Sequence, residues 1–555
     1  MERILIGVAW PYANGSLHLG HIAGAYLPAD IFARYHRAKG NEVLMVSGSD
    51  QHGTPVTIRA EQEGKSPQEI VDKYHHEFLD CWRRLGIEFD LFTTTGTTNH
   101  AQVVQDFFLR LLDKGYIYRN EMLLPYCSRC QRYLPDRYVE GGCPYCDSKQ
   151  ARGDQCDACG KPLGFAELID PRCRLCGSVP EARASEHFFL RLSAFRDDLL
   201  HWAQRQDHWR QNVINFTLRY LEEGLKDRAI TRDIEWGVPV PQPGFENKRI
   251  YVWFEAVIGY LSASKEWAKL SGEDERWRDF WQQDSKSYYF IGKDNIPFHT
   301  MIWPAMLMGY GGLNLPYDVP ANEFLTLEDR QLSTSRGWAV WLPGYLERYA
   351  PDPLRYLLAA NMPETGDTDF SWREFVRRNN DELLANYGNL VHRVLTFTCR
   401  HFDGCVPTAG ELDESDNEML HKAKVTIDLV DNSLYRCRFR EAMRTAMTLA
   451  HDANRYLEEK SPWKVIKEDR ESCARALFVA ISAISCLKTV MYPFLPFSSQ
   501  KVHNLLGGDG LVKDEQWGFH AISPGQKLAS PEPLFAKLDE QAVSEETDRL
   551  SHVRS

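Results

Sequence analysis

The sequence predicts an α/β fold built on a parallel sheet, which an insertion interrupts and an all-α region follows. Three observations predict it: a strand-helix-strand unit at the amino terminus, a cysteine-rich stretch without apolar periodicity, and a carboxyl-terminal third with apolar residues three and four apart. The chain has 555 residues, 43% of them hydrophobic, so it can bury substantial cores. This length corresponds to about four domain-sized units.

The amino-terminal unit covers residues 3–53. An apolar run over residues 4–10 predicts a strand, and a second strand pattern ends at Asp50. Between them, His-Leu-Gly-His at residues 18–21 opens a helix. A helix N-terminus beside the carboxyl ends of parallel strands attracts anions, so the unit predicts a phosphate site to which both histidines donate hydrogen bonds. For an isolated histidine pair, a polar helix cap or half of a zinc site is the alternative.

The overall charge limits the possible partners. A net charge of −12 argues against a protein that binds nucleic acid indiscriminately, and an RNA partner would require a local basic face. No secretory signal pattern is present, and the most apolar stretch, residues 476–497, is interrupted by serine, lysine and proline. We therefore expect a cytoplasmic protein without a membrane span.

Eight of the 14 cysteines form four Cys-x-x-Cys pairs. This pattern is typical of tetrahedral structural zinc, and eight thiols suit two sites of four. Disulfides and iron–sulfur clusters are the alternatives. Spacing alone would join the first pair with the second and the third with the fourth. The pairs are Cys127/Cys130, Cys143/Cys146, Cys156/Cys159 and Cys173/Cys176.

Several strings resemble one family. PYANGSLHLGH at residues 11–21 resembles the histidine signature of class I aminoacyl-tRNA synthetases, and specifically of the methionyl-tRNA synthetase family. IYVWFEAVIGY at 250–260 and YYFIGKDNIPFH at 288–299 resemble the same family, and the resemblance continues to about residue 535. It implies a Rossmann-type catalytic sheet split by a zinc-knuckle insertion and followed by an all-α anticodon-binding bundle.

The resemblance also implies an organisation along the chain. The expected units are a first catalytic half at 1–115, an insertion with two zinc knuckles at 116–229, a second catalytic half at 230–322, a signature loop with a stem-contact region at 323–372, an anticodon-binding bundle at 373–535 and a flexible tail at 536–555. Within the insertion, the apolar spacing itself shows a helical pattern around residues 188–200 and 213–221. The implied cysteine pairing is nested, with an inner set of Cys143, Cys146, Cys156 and Cys159 and an outer set of Cys127, Cys130, Cys173 and Cys176.

The implied activity is activation of methionine with ATP and Mg²⁺, followed by transfer to the 3′ end of tRNA(Met) with a CAU anticodon, by a monomer. The residues implied at ATP are Tyr12, Asn14, Gly20, Gly292, Asp294 and Thr334, with His18 and His21 at its phosphates. Those implied at methionine are Ala9, Trp10, Asp50, Arg232, Trp253, Tyr260, Phe298 and His299. Those implied at the anticodon are Asn389, Arg393 and Trp463. Aromatic rings suit a thioether, although ordinary core packing is the alternative for these rings. A tyrosine hydroxyl or imidazole N–H aimed at the sulfur would help to reject leucine.

The second class I signature, Lys-Met-Ser-Lys-Ser, departs from the family pattern here. The string RQLSTSRG at 330–337 has Gln331 in place of the first lysine and a threonine in place of the second. We expect Arg330 or Arg336 to supply the missing charge, with Ser333 and Ser335 completing the loop. The alternatives are a weakened paralogue that binds tRNA or methionine, and a zinc-knuckle RNA-binding protein without enzyme activity.

Overall fold

A five-stranded parallel sheet organises the catalytic part, as expected. The computed structural model describes residues 1–135, 138–153, 156, 163, 165–282, 284–334 and 337–552. The strand order is Ala321–Asn322, Lys286–Gly292, Arg3–Val8, Glu42–Ser49 and Leu91–Thr94. Ile4 of the middle strand pairs with Lys286 on one side and with Val43 on the other. Strand order therefore reverses beside Arg3–Val8, and a ligand crevice is expected there.

Helices cover both faces of this sheet. The helix that begins at Leu19–His21 passes through a π-helical segment, Ile22–Tyr26, into Leu27–Ala38. Every residue of the last segment except Arg37 is buried. The other helices of this part are Thr54–Glu63, Pro67–Leu85, Thr98–Asp113, Val252–Leu270, the 3₁₀ segments Arg276–Phe280 and Lys293–Asn295, the π segment Phe298–Ile302, and Trp303–Tyr310.

The insertion is a long antiparallel pair that carries the cysteine knuckles at its far end. Its two strands, Ile117–Cys127 and Glu181–Leu190, pair from Ile117 with Leu190 to Tyr126 with Glu181. The expected helical pattern from residue 188 is therefore wrong at its start, since Phe188 lies in a strand and packs edge-on against Phe108. The shorter elements are Arg132–Tyr133, Val139–Gly142, Ala151–Arg152, Phe165–Glu167, Ile169–Cys173, Leu192–Phe195, Arg196–Ala203, Gln211–Glu223 and Arg228–Ala229.

The second half of the sheet continues into a small region around the signature loop. There Leu325–Leu327 pairs antiparallel with Arg330–Gln331 and parallel with Thr368–Phe370. Two further short strands, Thr231–Arg232 and Arg249–Ile250, pair where the chain returns from the insertion. The helices Leu342–Arg348 and Pro351–Ala360 lead to the carboxyl-terminal part.

The carboxyl-terminal part is a helical bundle. Its elements are Trp372–Arg378, the π segment Asn379–Gly388, Asn389–His401, Glu414–Tyr435, Phe439–Lys460, Pro462–Val465, Arg470–Met491, Pro496–Leu505, the 3₁₀ turn Val512–Asp514 and Gln541–His552. By length and composition Arg470–Met491 would suffice to cross a membrane, but 89% of its most apolar window is buried inside the molecule. It is the core helix of the bundle, as its interrupting polar residues indicated.

The flexible tail expected at 536–555 is instead largely a helix, Gln541–His552. Glu546 is only 3% exposed, and its carboxylate accepts hydrogen bonds from Arg348 at 2.6 and 2.9 Å and from the Tyr349 hydroxyl at 3.1 Å. The acidic composition suggested disorder. An ion pair with the distant Arg348 and the packing of Leu550 against the core hold the segment, and no local pattern shows these partners.

Candidate active site

The largest concentration of predicted site residues lies around one cavity of about 630 Å³. It opens at the carboxyl ends of Arg3–Val8 and Lys286–Gly292, where the strand order reverses. The predicted residues that line it are Ala9, Trp10, Tyr12, His18, Gly20, His21, Asp50, Trp253, Tyr260, Gly292, Asp294, Phe298, His299, Ser333 and Thr334. The fold therefore brings most of the candidates for ATP and methionine together.

His18 and His21 form the N-terminal cap of the helix. The backbone N–H of Gly20 donates to His18 Nδ1, and the backbone N–H of His18 donates to His21 Nδ1, each at 3.1 Å. The two rings lie 3.8 Å apart. Because both Nδ1 atoms accept hydrogen bonds, the proton of each neutral ring is on Nε2. Each ring thus keeps one N–H donor for a ligand.

Burial keeps these two imidazoles neutral. It lowers the pKa of His21 to about 4 and, together with the neighbouring His21, holds the pKa of His18 well below its usual value. A larger residue at Gly20 would displace its neighbours, since a Cβ there would lie 2.7 Å from Leu332 Cδ1 and 2.9 Å from His18 Cε1. The site therefore offers neutral hydrogen-bond donors to an anion at neutral pH.

Trp10 forms the floor at the opposite end of the cavity. A Cβ on Gly48 would lie 2.3 Å from Trp10 Cζ3, and one on Gly259 would lie 2.7 Å from the same indole. Two glycines on different elements thus admit the ring. Trp253 and Phe298 stack at 4.4 Å and line the cavity with Trp10, and these three rings are called the aromatic box below.

A hydrogen-bonded chain fixes the far wall of this box. His299 Nδ1 lies 2.9 Å from the Asn295 carbonyl, and its Nε2 lies 2.8 Å from the Tyr260 hydroxyl. A carbonyl only accepts, so Nδ1 carries the proton and Tyr260 donates to Nε2. Burial lowers the pKa of His299 to about 4, which keeps this arrangement neutral. Both donors expected at the thioether are therefore engaged, the imidazole N–H with the Asn295 carbonyl and the tyrosine hydroxyl with His299 Nε2. The tyrosine oxygen, as an acceptor, is the polar atom that remains.

Asp50 supplies a carboxylate to the cavity. Burial, and then the nearby Glu255 carboxylate, raise its pKa to about 7. His52 connects the two acids: its backbone N–H donates to Asp50 Oδ1 at 3.3 Å, and its Nδ1 lies 2.8 Å from Glu255 Oε1. Glu255 is fully buried. Sequence reasoning missed His52, which lies two residues after Asp50, and Glu255, which lies inside the string at 250–260 that carries the resemblance.

Two predicted residues lie beside the central cavity rather than on it. The Arg232 guanidinium donates to the carbonyls of Ala229 and Thr231 at 3.0 and 2.9 Å and lies 3.9 Å over the Tyr251 ring. Asn14 lines two neighbouring cavities, one of which Arg232 shares. Both Arg232 and Asp50 were predicted to contact methionine, but in the structure they line different cavities.

The nucleotide end of the cavity is partly acidic. Burial raises the pKa of Asp294, which lies beyond Gly292 at the end of its strand. Glu323 also lines the cavity and accepts hydrogen bonds from Asn212 and Lys293, both at 2.7 Å. Sequence reasoning did not single out Glu323. It directly follows the edge strand Ala321–Asn322, which is too short to be recognised from apolar periodicity.

The signature loop lies against the histidine segment. Ser333 and Trp338 exchange two backbone hydrogen bonds of 2.9 Å, which close the loop. Gln331 and Thr334 line the cavity. Arg330 is exposed, lies 5.3 Å over the Trp338 ring and does not line the cavity. The predicted residues Ser335 and Arg336 lie outside the described residues.

The cysteines cluster as the resemblance implied. Cys127, Cys130, Cys173 and Cys176 form one cluster, and Cys143, Cys146 and Cys156 form another. The pairing of neighbours that spacing favoured is therefore wrong. Cys159, expected in the second cluster, lies outside the described residues. The described cysteines form no disulfide with one another.

The outer cluster has the dimensions of a tetrahedral thiolate site. The Sγ atoms of Cys127 and Cys176 are 3.4 Å apart, and those of Cys130 and Cys173 are 3.9 Å apart. Metal–sulfur bonds of about 2.3 Å give a tetrahedral S–S edge of about 3.8 Å. In the inner cluster Cys146 and Cys156 are 3.7 Å apart. Both clusters can therefore hold a metal ion.

The three candidates for anticodon contact lie on one side of the bundle. The Arg393 guanidinium lies 4.3 Å over the Trp463 ring, and both side chains are half-buried. Asn389 is exposed one turn before Arg393 on the same helix. A planar cation, an indole and an amide are the groups that recognise unstacked bases.

The sequence matches two family descriptions. Residues 4–395 match "tRNA synthetases class I (M)", and residues 406–555 match "Anticodon binding domain of methionyl tRNA ligase". A methionine–tRNA ligase of Dehalococcoides mccartyi (strain CBDB1) is 61% identical over 549 residues, which cover 99% of both chains. One of Thermomicrobium roseum is 52% identical over 577 residues, with 99% of each chain covered.

A solved structure agrees with this similarity. Mycobacterium tuberculosis methionyl-tRNA synthetase in complex with methionyl-adenylate superimposes with a TM-score of 0.80 at 26% identity, covering 96% of this chain and all of that one. These matches give no support to a weakened paralogue, nor to an RNA-binding protein without catalytic function. Because they span the catalytic part, the insertion and the bundle, the chain belongs to the methionyl-tRNA synthetase family of class I aminoacyl-tRNA synthetases.

Proposed function

We propose that this chain activates methionine with ATP and transfers the methionyl group to the 3′ end of tRNA(Met). One observation carries the proposal: neutral histidine donors and an aromatic, carboxylate-bearing pocket share a single cavity at the strand-order reversal of a parallel sheet. In the first step the methionine carboxylate attacks the α-phosphorus of ATP, forming methionyl-adenylate and releasing pyrophosphate. Positioning and electrostatics suffice for this step, and no protein nucleophile is required.

The ATP end is assigned to the histidine segment and the ends of neighbouring strands. The Nε2–H groups of His18 and His21 donate to phosphate oxygens, and Gly20 lets the phosphates approach the helix backbone. Gly292 and Asp294 hold the ribose. Tyr12 and Thr334 border the phosphates. Mg²⁺ accompanies ATP and neutralises charge on its phosphates when bound.

The methionine end is assigned to the aromatic box. Asp50 binds the substrate ammonium, since it is the carboxylate nearest the box on the strand that ends there. Trp10, Trp253 and Phe298 surround the unbranched, polarizable thioether. Tyr260 presents its oxygen to that end, held by His299. Arg232 has a more distant role than contact with the carboxylate, because its guanidinium is already bonded to two backbone carbonyls.

The remaining assignments concern zinc and tRNA. Two structural Zn²⁺ ions bind the eight cysteines and stabilise the knuckles, and their chemistry stays outside amino-acid activation because four thiolates leave no open position. Asn389, Arg393 and Trp463 bind the CAU anticodon by stacking and base-edge hydrogen bonds. The protein acts as a cytoplasmic monomer.

Amino-acid-dependent ATP–pyrophosphate exchange across the twenty amino acids tests the function directly. We expect exchange with methionine and little with leucine or isoleucine, because branched side chains do not fit a box built for a linear thioether. A variant with Trp10→Ala should lose methionine selectivity, whereas Gly366→Ala, at a position with open space around it, should not. Absence of methionine-dependent exchange would refute the proposal.

A further inference from the structure

A second cavity adjoins the central one on the side of the cysteine knuckles. It has a volume of about 810 Å³. His21 and Thr334 line both cavities, so the two meet where the phosphates of ATP are assigned. Its other walls come from the turn at residues 14–17, the helix Thr54–Glu63 and the knuckles. The proposed function assigns Tyr12, His21 and Thr334 of this lining to the phosphates and gives no role to the walls from the helix and the knuckles.

The two cavities have opposite charge. Three arginines, Arg59, Arg152 and Arg174, line the second cavity, and the described residues around it include no carboxylate. The central cavity has three carboxylates and no arginine or lysine among its described lining residues. In a chain with a net charge of −12, a purely cationic cavity beside the reaction site indicates an anionic ligand.

Two of these arginines keep positive charge for such a ligand. Arg174 is exposed in the turn between Cys173 and Cys176, and its guanidinium makes no ion pair with a described residue. Arg59 donates to Glu63 at 2.6 Å, but Lys65 binds the same carboxylate at 3.1 Å, so this group of three retains a net positive charge.

The signature loop provides a reason for such a site. Gln331 replaces the lysine that the family motif places over the phosphates, and Arg330 stacks on Trp338 without lining either cavity. Charge that develops on a leaving group still requires a fixed cation in a site shielded from water. Arg59 and Arg174 line the same cavity as Thr334 and can provide it.

We propose that the second cavity binds the β- and γ-phosphates of ATP and the pyrophosphate that they become, with Arg174 and Arg59 as ligands. This inference rests on the proposed function. As a methionine carboxylate oxygen bonds to the α-phosphorus, the bond from that phosphorus to the bridging oxygen breaks, and its electron pair leaves with pyrophosphate. The arginines stabilise that departing charge, and Arg152 lines the same wall.

The position of Arg174 links this site to the outer cysteine cluster. Its backbone N–H donates to the Tyr138 carbonyl at 2.9 Å, and the flanking cysteines fix the turn. A metal ion bound to that cluster would hold Arg174 in place without touching the substrate. The 3′-terminal phosphodiesters of tRNA share the chemistry of pyrophosphate, so the test must separate the two.

The reverse reaction measures pyrophosphate as a substrate. Enzyme-bound methionyl-adenylate is mixed with increasing pyrophosphate, and ATP formation is followed for Arg174→Ala, Arg174→Lys and Arg59→Ala. Losing one charge-assisted contact should raise the KM for pyrophosphate about tenfold, with the KM for methionine in the forward reaction unchanged. Arg174→Lys should be intermediate, because lysine keeps the charge but not the planar fork.

Arg129→Ala is the matched control. Arg129 occupies the corresponding turn of the same outer cluster, between Cys127 and Cys130, is exposed and does not line the second cavity. Equal metal content in the two alanine variants shows that the cluster is intact. If Arg174→Ala and Arg129→Ala have the same KM for pyrophosphate, the proposal is wrong.

A second result would also overturn it. A normal KM for pyrophosphate with slower transfer of the methionyl group to tRNA would assign the arginines to the tRNA terminus. Methionine-dependent ATP–pyrophosphate exchange by the unmodified protein distinguishes an error in the pyrophosphate site from an error in the proposed function. If the unmodified protein exchanges with methionine, only the pyrophosphate site is refuted, and if it does not, the function itself is refuted.

Discussion

The central cavity and the anticodon side of the bundle differ in how they hold their functional groups. In the cavity, Tyr260 and His299 are buried and already bonded to each other or to the backbone. On the bundle, Arg393 and Trp463 are half-buried and contact each other through one cation–π pair. Chemistry on a small substrate requires a geometry fixed before binding, whereas reading single-stranded bases requires faces that the partner can cover.

This difference predicts that the two regions can be separated by mutation. Trp463→Ala removes a stacking surface worth about 1–3 kcal/mol, so kcat/KM for tRNA aminoacylation should fall by roughly one to two orders of magnitude. Methionine-dependent pyrophosphate exchange should not change, since Trp463 lies outside the cavity. Trp463→Phe retains a ring and should recover most of the loss. An equal fall in exchange and aminoacylation would show that the bundle and cavity do not act independently.

The cavity makes a prediction of its own about pH. Burial and Glu255 raise the pKa of Asp50 to about 7, and only the ionised carboxylate binds an ammonium group. Below pH 7 the KM for methionine should therefore rise by up to about tenfold per pH unit, while the KM for ATP stays nearly constant. Glu255→Gln removes the neighbouring charge, so the whole profile should move to lower pH.

The same shift has a consequence for stability. Because the pKa of Asp50 is higher in the folded than in the unfolded chain, the folded state binds more protons between pH 4 and 7. The stabilisation that comes from protonated Asp50 is complete below about pH 4 and is lost as the pH rises through 7. A methionine KM that is flat from pH 5.5 to 8 would contradict both the assignment of Asp50 and the role of Glu255.

The regions also differ in what the sequence alone predicts. The strand-helix-strand unit and His18 were recognisable because local periodicity and glycine placement specify them. The contact of Arg348 with Glu546 joins residues 198 positions apart, and the acidic tail therefore suggested disorder. The nested cysteines show the same limit: their spacing favoured neighbours, whereas the long strand pair brings Cys127 beside Cys176.

The charge of the second cavity is another property that linear patterns conceal. Arg59 and Arg174 come from a catalytic helix and a knuckle that are more than a hundred residues apart. Neither has a charged run around it that indicates a phosphate site. Gln331 shows that the first lysine of the family motif is replaced, but only the folded arrangement shows that Arg59 and Arg174 line the cavity beside Thr334.

The smallest expected effect lies where the catalytic part and the bundle meet. Glu546→Gln keeps the size of the side chain but removes the charge that Arg348 pairs with, and Arg348 ends the helix that follows the signature loop. Since Arg348 is 29% exposed, the loss in unfolding free energy should be only about 1 kcal/mol. Glu545→Gln, at the exposed neighbouring position, should have almost no effect. Urea unfolding of both variants measures the difference in unfolding free energy. Equal midpoints would mean that apolar contacts such as that of Leu550, rather than this ion pair, hold the carboxyl-terminal helix.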